Sequence, residues 1–274
     1  MALHQAPYEI FHDLHRLLLA HGVIPGQVYL ETLGHYFSNV VAYNSPAMRG
    51  LVETLLSSPT MVAFNLLQNA VDEAKGGARV QIMAERYAKD DLRAKMLSHA
   101  QDEFRHSTQF LGLIKFTGIQ TESAQNEEEK ADSSSETQKV FDFDDVLTTF
   151  IARVHSIEIR SWTILRMYID ILEGYDDSRL KLTIPVLRQI LADEARHVAY
   201  SGKQVSDWLE QDLAYQHHAV ACLAHTNNET WEDFARMSRY LADNHSEALE
   251  NSCLKTPAAS VSDVSRVVES ALLA

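Results

Sequence analysis

The sequence predicts an all-α protein, a four-helix bundle with additional helices at both ends. Three observations carry this. Only 10 Gly and 6 Pro punctuate 274 residues, while Ala, Leu, Glu, Gln, Met, Lys and Arg, the better helix formers, are plentiful. Apolar residues recur at helical spacing over several long stretches. Two pairs of long helices, each joined by a short turn, flank one long polar connection; short turns make antiparallel neighbours, and a long connection lets the second pair cross over.

Taken in order, residues 8–21 and 27–43 carry helical periodicity around the turn "HGVIPG", and a short helix follows at 46–57. In "SSPT", Ser58 is placed as an N-cap with Pro59 at the first helical position, opening a helix that runs to Lys89. "KDD" turns the chain into a second long helix at 91–117. Residues 118–140, including "TESAQNEEEKADSSSETQK", nearly lack large apolar side chains and read as a flexible surface connection. Periodicity returns at Phe141 and runs to Glu173, with Gly174 at the C-cap. Pro185 starts the next helix, which ends near Glu210, and two or three more helices are expected, at about 211–225, 229–250 and 261–273. The division is thus 1–58 accessory helices, 59–210 bundle, and 211–274 accessory helices.

The formal charge of −14 argues against a nucleic-acid or anionic-membrane partner. Cys222 and Cys253 form no C-x-x-C pair, which indicates neither a disulfide framework nor a thiolate metal site. The N-terminal "MALHQAPYEIF" lacks a basic region followed by an apolar core, and no apolar run approaches spanning length. A cytoplasmic protein is the expectation.

The pentapeptides "DEFRH" at 102–106 and "DEARH" at 193–197 repeat one pattern on two helices. Glu103 and His106, like Glu194 and His197, are three apart and project from one helical face. That face reads as core in both cases: Met96, His99, Phe110 and Leu111 accompany Glu103, and Leu187, Ile190, Val198 and Val205 accompany Glu194. A carboxylate on a core stripe is costly to ionise without compensation. Glu73, among Leu66, Ala70, Val80 and Met83, and Glu158, among Ile151, Val154 and Leu165, offer matching acids on the partner helices. Four carboxylates balance two divalent cations, and an oxygen and nitrogen donor set without thiolate suits iron or manganese. Asp102 with Arg105, and Asp193 with Arg196, are also three apart; the expected role is an Asp that accepts the free imidazole N–H of a metal-bound His and an Arg that holds it.

These residues resemble the ligand set of the ferritin-like di-iron carboxylate superfamily, over about residues 59–210. The D-E-x-R-H form is similar to that of bacterial multicomponent monooxygenases and, more loosely, of soluble acyl carrier protein desaturases. The resemblance implies metal ligation by Glu73, Glu103, His106, Glu158, Glu194 and His197, supported by Asp102, Arg105, Asp193 and Arg196. It implies two Fe ions, or a Mn and Fe pair, an O2-activating oxygenase or oxidase that hydroxylates, N-oxygenates or desaturates a small organic molecule, and electrons from a separate reductase. The chain departs from the pattern in being short for a monooxygenase large subunit and in lacking a rubredoxin-like Cys pair. The N-oxygenase branch carries a further His four residues before one Glu-x-x-His; here that position is His99 in the first motif and Ile190 in the second. His99 is therefore either an additional ligand or a hydrogen-bonded core histidine, and His155 is a weaker candidate to support Glu158.

Gly76 and Gly77 lie on the face of Glu73, where a Gly pair inside a helix costs about 1 kcal/mol each against Ala; they indicate space beside the metals, a bulge, or close helix packing. Trp162 and Tyr200 are placed to line the site. A ferroxidase or iron-storage subunit and a rubrerythrin-like peroxidase are the alternative functions. The terminal helices either cover the bundle or form a homodimer interface. His12, His15, His21, His35 and "QHHAV" at 216–220 fit no ligand spacing.

Overall fold

The computed structural model describes residues 9–121, 123–125 and 146–246. Within them all regular structure is helical. Nine α-helices follow in order: α1 Glu9–Ala20, α2 Gln27–Tyr36, α3 Pro46–Leu56, α4 Pro59–Arg86, α5 Asp90–Leu113, α6 Leu147–Glu173, α7 Ser178–Lys181, α8 Ile184–Gln211 and α9 Tyr215–Asn244. Among the described residues no single helix is long and apolar enough to cross a membrane.

The four long central helices form two hairpins, α4 with α5 and α6 with α8, which meet through α5 and α8. Their apolar residues divide into two cores. One gathers α1 and α2 with Val80 and Met83 of α4, Met96 of α5, Ile151 of α6 and Val205 of α8. The other gathers α3 with Leu66 of α4, Phe110 of α5, Ile169 of α6 and Leu187 of α8. Following each helix from one core to the other shows that α5 and α6 run in the same direction. The described residues at which α5 ends and α6 begins therefore lie at opposite ends of the hairpins. The connection expected at 118–140 lies largely outside the described residues, as do the expected helix at 261–273 and the start of the third long helix at 141–145.

Pro59 and Pro185 each sit in the first turn of their helix, where the missing N–H costs nothing. Ser58 occupies the N-cap position, yet its hydroxyl makes no capping bond. The second helix ends at Tyr36 rather than 43: Ser38 turns its hydroxyl onto the His35 carbonyl at 2.6 Å, and the chain then enters a 3-10 turn at Ala42–Asn44. The helix expected to 117 tightens into a 3-10 turn at Ile114–Thr117, closed by Gly118 at φ 75°, where only glycine fits freely. α7 is a single turn capped by Asp177, between the third and fourth long helices.

The largest difference lies at the C-terminal side. Helices expected at 211–225 and 229–250 are one continuous helix, α9, running through "HTNNET". Thr230 satisfies its hydroxyl within the helix on the Thr226 carbonyl at 2.7 Å, and Asn227 accepts the Ala42 N–H at 2.7 Å, a tertiary contact that offsets weak local propensity. α9 lies along α6, and its far end is pinned by Met237, Tyr240 and Leu241 against Met61 and Phe64.

His155 is structural. Its ring is buried, 2.7 Å from the Tyr29 hydroxyl and 2.9 Å from Ser201 Oγ, tying α2 to α6 and α8. Burial pulls its pKa from 6.5 down to about 3. The unfolded chain takes up this proton near pH 6.5, whereas the folded chain resists it, so the stability is fully present above that pH and is lost as pH falls toward 3. Urea unfolding across this range should show His155→Gln with a flatter loss, by up to about 1.4 kcal/mol per pH unit. Equal slopes for the two proteins would contradict this assignment.

Candidate metal centre

Between the two apolar cores lies one polar layer. α4 supplies Glu73, α5 supplies His99, Glu103 and His106, α6 supplies Glu158, and α8 supplies Glu194 and His197. All but Glu73 are buried. The apolar neighbours predicted for these acids are buried too, except Leu111, which points to solvent, and Leu165, which is half-buried. A register of 100° per residue carries Leu111 off the Glu103 face after two turns.

The seven residues form two groups that share Glu103. His99, Glu103, Glu158 and His197 make one, and Glu73, Glu103, His106 and Glu194 the other; in each, the donor atoms lie within 4.8 Å of one another. His106 Nδ1 is 3.3 Å from Glu194 Oε1 and 3.9 Å from Glu73 Oε2. His197 Nδ1 is 3.3 Å from Glu103 Oε1 and 3.6 Å from Glu158 Oε2. Neither Nδ1, nor Glu103 Oε1, has a hydrogen-bond partner although all three are buried. Orphaned lone pairs converging at these distances are what a cation would satisfy.

The opposite nitrogen of each imidazole is committed. His106 Nε2 is 3.1 Å from Asp193, and His197 Nε2 is 3.2 Å from Asp102. Each Asp thus serves the histidine of the other motif, an exchange across the α5–α8 contact. The arginines follow the same crossing: Arg105 reaches Asp102 and Asp193, both at 2.6 Å, and Arg196 reaches Asp193 at 2.5 Å and Asp102 at 3.2 Å. This network fixes both rings with Nδ1 facing inward.

Electrostatics report the same crowding. Burial and the neighbouring carboxylates push Glu103 and Glu194 well above the usual range. Burial also opposes ionisation of Glu158, yet His99 and His197 hold it well below. Burial opposes protonation of His106, but Glu194 and Glu73 raise it to about 11. Protons held by these carboxyls and imidazoles are what a cation taken up by the groups would displace.

His99 joins one ligand group. Its Nε2 is 3.1 Å from Glu103 Oε1 and 3.4 Å from Glu158 Oε1, its Nδ1 is 2.8 Å from the Tyr200 hydroxyl, and its ring stacks on His197 at 3.8 Å. Tyr200 therefore meets the site through His99. Trp162 faces elsewhere, under the Arg166 guanidinium at 4.5 Å and within the core of α1 and α2. Gly77 makes no space: a Cβ there would lie 3.0 Å from Glu103 Cβ and 3.1 Å from the Ala100 carbonyl, so it permits close α4–α5 packing. At Gly76 the nearest atom to such a Cβ is Glu103 Oε2, at 3.6 Å.

Space exists on the other side. A cavity of about 250 Å³ runs between α4 and α6, closed by α3 and α9, and reaches Glu73 and Glu194. Its walls are apolar at Leu66, Phe110, Ile164, Leu187 and Ile190, and polar along Asn65, Asn69 and Asp72 of α4. Sequence reasoning missed this wall. Asn65, Asn69 and Asp72 at i, i+4 and i+7 are a polar stripe that could have signalled it; Arg160 and Tyr168, which also line it, carry no such signal. Comparison with protein-family models, curated proteins and solved structures returns no match.

The exchange makes a crossed prediction. Asp102→Asn should weaken the metal position held by His197 by roughly 10- to 100-fold, leaving the His106 position less affected, and Asp193→Asn the reverse. Cobalt(II) titration followed by ligand-field absorption resolves the two. Loss confined to the histidine of the same motif would refute the exchange.

Proposed function

We propose that this chain is a non-haem di-iron oxygenase or oxidase built on a ferritin-like four-helix bundle, with the additional terminal helices closing it. The observation that carries the reading is the pair of buried ligand groups sharing Glu103. Four carboxylates and three imidazoles, with no thiolate, match the ligand preferences of iron or of a manganese and iron pair. When bound, two ferrous ions supply redox chemistry with O2, and the overall reaction is substrate C–H (or N–H) plus O2, two electrons and two protons giving hydroxylated product and water. The electrons come from a separate reductase.

The chain's own residues have separable parts in this. Glu103, common to both groups, would serve both ions, Glu73 and Glu158 would each serve one, and Glu194 lies between both histidines, with Oε1 3.3 Å from His106 Nδ1 and Oε2 3.9 Å from His197 Nδ1. Asp102 and Asp193 keep the Nδ1 lone pairs directed inward. Ile190, Leu187 and Phe110 line the approach to Glu73 and Glu194 with apolar surface that limits water. A storage ferroxidase has no use for a cavity of this size beside its carboxylates, which favours the oxygenase reading over the iron-storage one.

Anaerobic titration should load two Fe(II) per chain, and a pulse of O2 should be consumed in proportion to the iron bound. Glu103→Gln should reduce loading at both positions, whereas Glu73→Gln should reduce one. Continued O2 uptake with excess iron, forming mineral inside a large assembly on size exclusion, would establish storage instead.

A further inference from the structure

The cavity beside Glu73 and Glu194 contains an arginine whose guanidinium has no hydrogen-bonded partner among the described residues. Arg160 is half-buried on its wall, and among the described residues it makes no hydrogen bond or ion pair. The contrast with its neighbours is informative. Arg236, on the same wall, is 3.4 Å from Asp233, and Arg166 holds Asp13 at 2.7 Å. Asp72 and Asp233 also line the cavity, and Asp72 feels the Arg160 charge, yet among the described residues no hydrogen bond joins the guanidinium to either. A guanidinium carries five donors in a planar fork, and leaving them unmatched in a partly desolvated wall is costly unless a ligand supplies the acceptor.

A second observation is independent of the first. The Tyr168 hydroxyl is buried, lines the same cavity and has no hydrogen-bond partner. It lies two turns beyond Arg160 on α6, ~12 Å along the axis. Between the two, Ile164 and Leu165 of α6 face Leu66, Leu187 and Ile190 across an apolar span. The wall therefore reads as a fork for an anion, an apolar middle, and a lone hydrogen-bonding group further along.

We propose that this cavity is a binding site for a small organic carboxylate, with Arg160 holding the carboxylate bidentately and the apolar span holding its body. The fork of a guanidinium matches a carboxylate better than a spherical anion does, and a charge-assisted pair of this kind is strong where water is partly excluded. At protein packing density, about 250 Å³ accommodates on the order of ten non-hydrogen atoms. The Tyr168 hydroxyl serves a polar substituent on the body. In the oxygenase reading, on which the substrate role rests, this occupant is the molecule presented to Glu73 and Glu194.

The test is equilibrium binding of octanoate, octan-1-ol and octylamine to the full chain, by calorimetry, with and without manganese(II). Octanoate should bind best in both states. Arg160→Gln should weaken octanoate on the order of tenfold or more, Arg160→Lys should weaken it less, and neither should change octan-1-ol binding or the melting temperature appreciably. Equal binding of octanoate and octan-1-ol, or octanoate binding untouched by Arg160→Gln, overturns the proposal. Preference for octylamine, lost in Asp72→Asn, overturns it in favour of a cationic ligand. Arg160-dependent octanoate binding by a chain that takes up no metal would leave the carboxylate site standing and remove the di-iron reading. Stoichiometric metal uptake without octanoate binding would do the opposite.

Discussion

Four carboxyl groups, from Glu73, Glu103, Glu158 and Glu194, meet at one level of the helices, and this is the constraint to which the rest of the molecule answers. Two like charges about 4 Å apart cost on the order of 4 kcal/mol even at the effective dielectric of a protein, and here four are gathered with burial added. Without cations the layer must hold protons, as the upward displacement of Glu103, Glu194 and His106 shows. The two apolar cores, one on either side of the layer, supply the packing that keeps these acids together. Folding energy gathered at the ends is in effect held against repulsion in the middle.

The exchange of aspartates between motifs explains why the pentapeptide occurs twice. Within one helix, Asp and Arg three apart would form a surface pair of little consequence. Across α5 and α8 the four side chains close an alternating ring, with each Asp buried between two guanidiniums and one imidazole. Burial opposes the charge on Asp102, yet His197 and Arg105 hold its carboxyl well below the usual range; Asp193 is lowered in the same way by His106 and Arg105. A slip of one helix past the other by a single turn would break the contacts that cross between them, Arg105–Asp193, Arg196–Asp102, His106–Asp193 and His197–Asp102. The two hairpins are therefore held in one register by the same residues that orient the imidazoles.

How much of this was legible in the sequence depends on the range of the interaction. Helical periodicity and the Pro59 and Pro185 starts are local, and they located the four long helices to within a few residues. Six of the seven His and Glu side chains of the polar layer could be chosen because a charged residue on an apolar stripe is a contradiction visible in one dimension; His99 stayed open between a ligand and a core histidine. The pairing of Asp102 with His197 is invisible there, because nothing in either motif says which helix will supply the partner. Continuity of α9 through "HTNNET" was hidden for the same reason: Asn227 is held by the Ala42 backbone, far away in sequence. Gly76 and Gly77 left the question open, since a glycine pair reports closeness or room equally, and at Gly77 the distance to Glu103 and Ala100 decides for closeness.

The two motifs are nearly equal, and their one unequal position distributes the roles. Four residues before the glutamate, the first has His99 and the second Ile190. His99 fills its half with an imidazole that stacks on His197 and is anchored by Tyr200, and none of His99, Glu158 and His197 reaches the cavity. Ile190 presents a hydrocarbon surface instead, so the other half, with Glu73 and Glu194, opens onto the cavity wall. In the di-iron reading the nitrogen-rich position is the closed one, and the carboxylate-rich position is the one a ligand meets. A polar side chain at residue 190 would place a hydrogen-bonding group where the cavity narrows onto Glu194, whereas an apolar one at residue 99 would strand Tyr200 in the core. The asymmetry is thus fixed from both sides, by what Ile190 excludes and by what His99 satisfies.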